Sequence, residues 1–416
     1  MPYIETGTSL YRRVLICMLL GSIVTFAVLY APQPLINVFS DQFHVSAATA
    51  SLSISLSTIA LAVGLLFVSM LSNAWGRKGI MSISLLLTSV LAILSHFSVS
   101  FQVLLVIRFL EGLCAAGFPA TAMAYLNEEI SPRSLGGVMG VYVAGTSIGG
   151  FFGRVVIGAL TDIISWRFAF LALGVFSLLA SMWFWRSLPE SKHFHRVPIS
   201  LHNLVFRFKG VLNKKLMLIY LIAFLLMGSY VALYNYIGYP LTRAPYNLSQ
   251  TAIGLIFVVN LMGTFSSILF GKLSARYQRA HLIVLASAIL LLAALFTLND
   301  NLYVKILGVM IFAFGFFAGH SVASGWVGVV SPTGKKAESA ALYLLFYYTG
   351  SSFVGWGGGF FLTDLGWGGL IAMICTLIVL CAGLALWVKK TGQTDPIELP
   401  SAAAHNGGYA AQSLNG

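Results

Sequence analysis

Charge is what this sequence has least of. Asp, Glu, Lys and Arg make up 9% of its 416 residues, and only 12 residues are acidic, whereas soluble chains are roughly 25% charged. The shortage excludes two or three soluble domains, whose surfaces would need far more polar residues. Cysteine is scarce too. Cys17, Cys114, Cys375 and Cys381 all fall inside apolar runs, which excludes a disulfide framework and a cysteine metal site. There is no Walker loop, H-E-x-x-H pair or Rossmann fingerprint, so no cofactor and no metal is expected and an ATP site has no motif. The stretch GTSIG at Gly145–Gly149 fits G-x-S-x-G, but it lies inside an apolar helix where the required strand–turn–helix elbow cannot form.

What is there is hydrophobic: 58% of the chain. Apolar runs of about 18 residues or more, each long enough to cross roughly 30 Å of hydrocarbon as a helix, recur at 14–32, 47–71, 79–97, 101–125, 135–160, 168–187, 216–240, 251–271, 280–298, 303–329, 339–361 and 367–388. The expected fold is all-α and integral to a lipid bilayer, with twelve transmembrane helices. The net charge of +12 reports topology and gives no reason to expect a nucleic-acid partner. With the N-terminus inside, nineteen of the 24 Lys and Arg fall in inside segments, and only Arg167 and Arg243, with Lys305 at a span edge, fall outside. Positive residues gather on the cytoplasmic side, so both termini are expected in the cytoplasm. Arg12 and Arg13 before the first apolar run resemble a signal peptide's start, but the run's end, YAPQPL, lacks a small-x-small cleavage site.

Short phrases recur at one spacing. LTDIISW at Leu160–Trp166 returns as LTDLGW at Leu362–Trp367, and LSNAWGR at Leu71–Arg77 as LSARYQR at Leu273–Arg279, both 202 residues on; the Ser-Pro at 131–132 recurs at 331–332. Six spans precede the basic stretch at 186–215 and six follow it, so both halves start on the same side. The expected organisation is therefore two parallel six-helix repeats: a bundle over 1–187, a basic cytoplasmic linker over 188–215, a second bundle over 216–390, and a small, polar, disordered tail over 391–416. Transporters with parallel repeats hold substrate near the midplane, between the halves.

These residues resemble the major facilitator superfamily over roughly 14–388, most closely its drug:proton antiporter branch and, within that, the YnfM-like inner-membrane transporters. SMLSNAWGRKGIM is similar to the loop between helices 2 and 3, G-x-L-x-D-x-x-G-R-K, with Gly76, Arg77 and Lys78 in place but Ser69 and Asn73 replacing the usual Gly and Asp. RFLEGLCAAG at Arg108–Gly117 resembles the fourth-helix motif, and GTSIGG at Gly145–Gly150 the antiporter motif G-P-x-x-G-G, with Thr146 for Pro. LPES at Leu188–Ser191 matches the exit from helix 6. The resemblance implies the major facilitator fold and an ion-driven exporter. Asn73, unlike an Asp, cannot carry the charge of the family's loop latch.

An ionisable side chain inside a span costs about 2.5–3.5 kcal/mol on insertion scales and marks function or pairing. Arg108 and Glu111 are three apart, hence neighbours on one helix face. They read either as a titrating carboxylate held by an arginine or as a structural pair. Arg154, at similar depth, either attracts an anionic or electron-rich substrate or snorkels to the headgroups. His320 titrates near neutral pH and is a proton-coupling candidate beside a plainer reading as a hydrogen-bonded packing residue. Gln33, Asn37, Tyr230, Tyr234, Asn235 and Asn260 are candidates for a cavity wall, since small-molecule sites combine apolar bodies with few polar contacts. Tyr236 and Tyr239 suit an interfacial belt. Gly145, Gly149 and Gly153, with Gly150 beside them, form a bare stripe that lets helix backbones approach closely and is expected to give rocking halves a smooth contact, and Glu128–Glu129 reads as a solvated helix end.

The function expected is secondary active transport by alternating access: proton-coupled export of drugs or metabolites across the inner membrane by a monomer whose partners are a small molecule, protons and lipid. A specific sugar or metabolite exporter is the alternative within that class. An integral-membrane enzyme or an anchor without flux is the alternative outside it, and the scarcity of clustered acids and histidines argues against an enzyme.

Overall fold

The computed structural model describes residues 3–194 and 209–391; the expected linker and tail fall largely outside the described residues, at 195–208 and 392–416. Among the described residues every regular element is helical, apart from one isolated bridge between Ile4 and Ile130. The helices are α1 (Ser9–Tyr30), α2 (Ile36–Phe43), α3 (Ala47–Trp75), α4 (Arg77–Ser95), α5 (Phe101–Ala115), α6 (Gly117–Glu129), α7 (Pro132–Ile163) and α8 (Trp166–Ser187), then α9 (Lys214–Tyr236), α10 (Gly238–Thr242), α11 (Gln250–Ile256), α12 (Met262–Leu273), α13 (Arg279–Phe296), α14 (Leu302–Val330) and α15 (Lys336–Thr391). Their starts are written in the sequence. Thr8, Ser46, Ser100, Ser165, Asn213, Ser249 and Asn301 each accept a hydrogen bond from a backbone N–H in the first turn, which satisfies donors that a helix leaves open.

Breaks follow residues that cannot continue a helix. Pro32 and Pro34 have no N–H to offer the carbonyls of Val28 and Tyr30, so α1 gives way to a 3₁₀ turn at Gln33–Leu35 before α2 resumes. Gly76, at φ 101°, separates α3 from α4, a conformation that side-chain-bearing residues avoid.

Among the described residues eleven helical stretches are long and apolar enough to cross a membrane, against the twelve expected. The runs at 339–361 and 367–388 form one helical stretch, α15, of 56 residues. No loop parts them because the intervening residues carry one strong breaker: Gly366, with φ 66° and ψ −166°, departs from helical geometry.

Packing repeats along the chain. α1 lies along α7, α3 on α5 and α4 on α8; α9 lies along α15, α12 on α14 and α13 on α15. N-terminal helices meet C-terminal ones chiefly where α3 runs against α15 and α7 against α11. The glycine stripe faces elsewhere than expected. A Cβ on Gly149 or Gly153 would come closer than 3.0 Å to the backbone of Ile23 or Ala27 in α1, and one on Gly145 closer than 3.0 Å to Ser22. The stripe therefore fastens α7 to α1 among the N-terminal helices, whereas Gly158 and Gly254, whose Cβ atoms would meet Gln250 and Arg154 backbone, set the approach of α7 to α11. Bareness announces a close neighbour without naming it. Gly153→Ala should cost about 1–3 kcal/mol, as overpacking does, and lower the melting temperature of the purified protein; Gly140→Ala, with nothing within 4 Å, should leave it unchanged or slightly raised.

Three more expectations are corrected. Tyr236 is fully buried and its hydroxyl donates to the Gly355 carbonyl at 2.7 Å, and Tyr239 is 9% exposed; both sit inside protein rather than in a belt, because the end of α9 and the short α10 after it are packed against other helices. Glu129 is not a solvated helix end. It is 2% exposed, accepting from the His193 backbone N–H at 2.8 Å and lying 3.2 Å from His193 Nδ1, while Glu128 pairs with Arg77 at 2.6 Å.

Candidate functional site

Between the N-terminal and C-terminal helices lies a cavity of about 250 Å³, walled by α1 and α7 on one side and α9, the 3₁₀ turn Phe257–Leu261, α14 and α15 on the other. Of the residues singled out in the sequence, Gln33, Gly150, Arg154, Tyr230, Asn260 and His320 line it. The break after α1 aims Gln33 inward. Arg154 Nε donates to Gln33 Oε1 at 2.8 Å, and its Nη1 donates to the Gly150 carbonyl at 2.7 Å. The guanidinium lies against two rings, 4.7 Å from the Tyr30 centroid and 4.4 Å from that of Phe257, distances at which cation–π attraction acts. Arg154 is 6% exposed, so it does not snorkel to headgroups.

The other side of the cavity is aromatic. Tyr230 stacks on Phe316 at 4.1 Å, and His320 stacks on Phe316 at 5.9 Å and tilts against Tyr347 at 4.8 Å. Nδ1 of His320 lies 2.9 Å from the Tyr343 hydroxyl. His320 is thus both a hydrogen-bonded residue and part of the wall. Tyr30, Phe257, Phe316 and Tyr347 were not singled out, since aromatics in apolar runs carry no mark of which face they occupy.

Tyr234, Asn235 and Asn37 stand behind the wall. Tyr234 packs against Tyr230 and Phe257 and donates to the Val309 carbonyl at 3.1 Å. Asn235 and Asn37 tie the two sets of helices together: Gln33 Nε2 donates to Asn235 Oδ1 at 2.8 Å, and Asn37 Nδ2 to Thr242 Oγ1 at 3.2 Å. At the same end Asp162, the acid of the first repeated phrase, accepts from the backbone N–H groups of Gln250 and Thr251 at 3.0 and 2.7 Å. The phrase was visible in the sequence; its partners, 88 and 89 residues away, were not.

Arg108 and Glu111 also lie outside the cavity wall. Arg108 is 0% exposed, with Nη1 2.6 Å from Glu111 Oε2. Its nitrogens donate to three carbonyls: Ser53 at 3.0 Å, Val28 at 3.2 Å and Leu29 at 2.7 Å. The Val28 carbonyl is the one that Pro32 deprives of its helical donor. Arg108 therefore serves as the interior cap of α1 at the break that aims Gln33.

At the far end of α3 the glycine-arginine-lysine motif is engaged. Arg77 donates through Nη1 to Ser72 Oγ at 2.6 Å besides pairing with Glu128, lies 5.2 Å from the Phe194 ring centre, and has Lys78 beside it, 2.9 Å from Glu190. The Asn73 side chain lies outside the described residues.

Eleven long apolar helical stretches among the described residues, with a cavity between two groups of helices, have the form of a multi-pass membrane transporter. The model of the Major Facilitator Superfamily matches residues 18–355. The chain is 45% identical over 390 residues, 94% of its length and 95% of the relative's, to "Uncharacterized MFS-type transporter YybF" of Bacillus subtilis. It is 40% identical over 381 residues, 91% of either chain, to "Inner membrane transport protein YnfM" of Escherichia coli. A bacterial homolog of the human lysosomal transporter Spinster, solved in an inward-facing and unoccupied conformation, superposes with a TM-score of 0.78 at 16% identity, covering 92% of this chain and 98% of that one. The chain belongs to the Major Facilitator Superfamily. It is a secondary transporter of small molecules and an integral membrane protein, of a family of transporters rather than enzymes.

Proposed function

We propose that this transporter exports small organic molecules in exchange for protons, by alternating access of the cavity around Arg154 to the two sides of the inner membrane. The observation that carries the reading is that cavity: its wall draws on both groups of helices, so a change in their relative tilt would open it to one side or the other. Glu111 is the one carboxylate among the described residues buried in mid-span and is the group proposed to take up the proton. Its contact with Arg108 would transmit that event to the α1 break and so to Gln33. His320 would offer a second ionisable group on the wall itself.

The twelve-crossing arrangement, as two parallel six-helix repeats with both termini in the cytoplasm, belongs to the same proposal. A helix of 56 residues would span roughly 84 Å at 1.5 Å per residue, far beyond about 30 Å of hydrocarbon, so α15 would cross twice and reverse at Gly366. The matched packing partners and the 202-residue spacing support a duplicated unit, and the side preference of Lys and Arg supports the orientation. On that topology Asn37, Asp162 and Thr242 close the outer end. Nothing in the reading requires a second copy, so a monomer is proposed.

Reconstituted into vesicles whose lumen is more acidic than the medium, the protein should accumulate compounds from a panel of small amphipathic anions, neutrals and cations. Accumulation should rise at least tenfold above vesicles without a gradient and collapse on addition of a protonophore. Equal uptake with and without the gradient for every compound would rule out proton exchange.

A further inference from the structure

We infer that the substrate is an organic monoanion, a carboxylate or related oxyacid on a flat aromatic body, held by Arg154. The inference rests on the transport reading above and adds the chemical class to it. Arg154 forms no ion pair among the described residues, while Arg108, the other mid-span arginine, is paired with Glu111. The cavity therefore holds one positive charge without a carboxylate to balance it. A buried charge is stable only when paired, and nothing in the wall pairs this one.

The geometry narrows the ligand further. The rings of Tyr30 and Phe257 both lie against the guanidinium, 4.7 and 4.4 Å from its carbon to the ring centres, and ring contacts of this kind leave the N–H groups along its edge for a polar ligand. Of its five N–H groups, one is taken by Gln33 and one by the Gly150 carbonyl. The remainder suit an oxyanion, which arginine binds through parallel hydrogen bonds in its own plane. Tyr230, Phe316 and Tyr347 line the same cavity from the C-terminal helices, which is a surface for a flat apolar body. A cation would meet the fixed positive charge of Arg154 and is disfavoured.

The same contacts tie occupancy to closure. Gln33 accepts from Arg154 and donates to Asn235 of the C-terminal helices. A carboxylate on the remaining N–H groups of Arg154 draws on the same guanidinium that holds the Gln33 amide oxygen, and so bears on the Gln33–Asn235 bond.

The test uses the full protein in lipid nanodiscs at neutral pH and three probes of one shape: benzoate, neutral benzamide and cationic benzamidine, with binding followed by calorimetry. Benzoate should bind at least tenfold more tightly than either of the others. Arg154→Ala should remove that preference, and Arg154→Lys, which keeps the charge but loses the planar fork, should keep only part of it. Elution as a single species at the wild-type volume checks that each variant is folded. Equal or tighter binding of benzamidine, no binding of benzoate, or an unchanged benzoate preference in Arg154→Ala would each overturn the inference. The vesicle assay separates this from failure of the transport reading. Proton-driven accumulation of cations or neutrals alone would leave transport standing and remove the anion; no gradient-driven flux of any compound would remove proton-driven transport.

Discussion

Arg108→Met should leave little folded protein in the membrane. The substitution strands the Glu111 carboxylate in a fully buried position and withdraws the donor from the carbonyls of Ser53, Val28 and Leu29. Removing one partner of a buried ion pair costs about 3–5 kcal/mol, a large share of the 5–15 kcal/mol that separates folded from unfolded states in ordinary domains. The orphaned Val28 carbonyl adds to that, because Pro32 leaves it no helical donor. The double variant Arg108→Met with Glu111→Leu removes the stranded charge and should recover part of the yield and melting temperature. Recovery should stay incomplete, since the three carbonyls remain unserved. Yield and thermal unfolding of the detergent-purified variants check the pattern. A single variant as stable as wild type would show that the tie between α1, α3 and α5 carries no weight.

Glu111→Gln separates folding from coupling. The amide keeps the carboxylate's shape and can still accept from Arg108, so the fold should survive with a loss of a few kcal/mol at most from the weakened pair. What it cannot do is release a proton. Proton-driven accumulation in vesicles should fall at least a hundredfold, while exchange of labelled for unlabelled substrate without a pH gradient should persist at more than a tenth of the wild-type rate. Retention of both activities would take Glu111 out of the coupling step and turn attention to His320. Loss of both would make Glu111 a part of the fold or of the binding site.

Much of this molecule is legible in its sequence because lipid makes polarity conspicuous. Arg154, Tyr230, Asn260 and His320 interrupt apolar runs and Gln33 follows directly on the first such run, and all five meet at one cavity. Arg108 and Glu111 stood out for the same reason, yet the structure places them behind the wall. Periodicity shows that a residue is inside a span without showing which of several neighbouring helices it faces. The glycine stripe shows the same limit: its spacing declares a close approach, and only the folded chain reveals that the neighbour is α1. Glu129 was misread because His193 lies 64 residues away and no local pattern joins them. The final two runs merged into α15 since a single glycine, rather than a polar loop, interrupts them.

The bond between Gln33 and Asn235 joins residues at a telling spacing. The two residues are 202 apart, the spacing at which the Leu-Thr-Asp phrase recurs. If one ancestral unit was copied, they are one position written twice, touching across the dyad that relates the copies. Such a contact is self-complementary, as in a symmetric dimer, and a primary amide, donor and acceptor at once, is well suited to meet its own image. On the same premise the rim has lost that symmetry: Asp162 accepts from two backbone N–H groups at the start of α11, while its counterpart Asp364 is exposed. On that premise, a dimer-like hinge at the centre with an unequal clasp at the edge would give the two copies separate parts to play in each cycle.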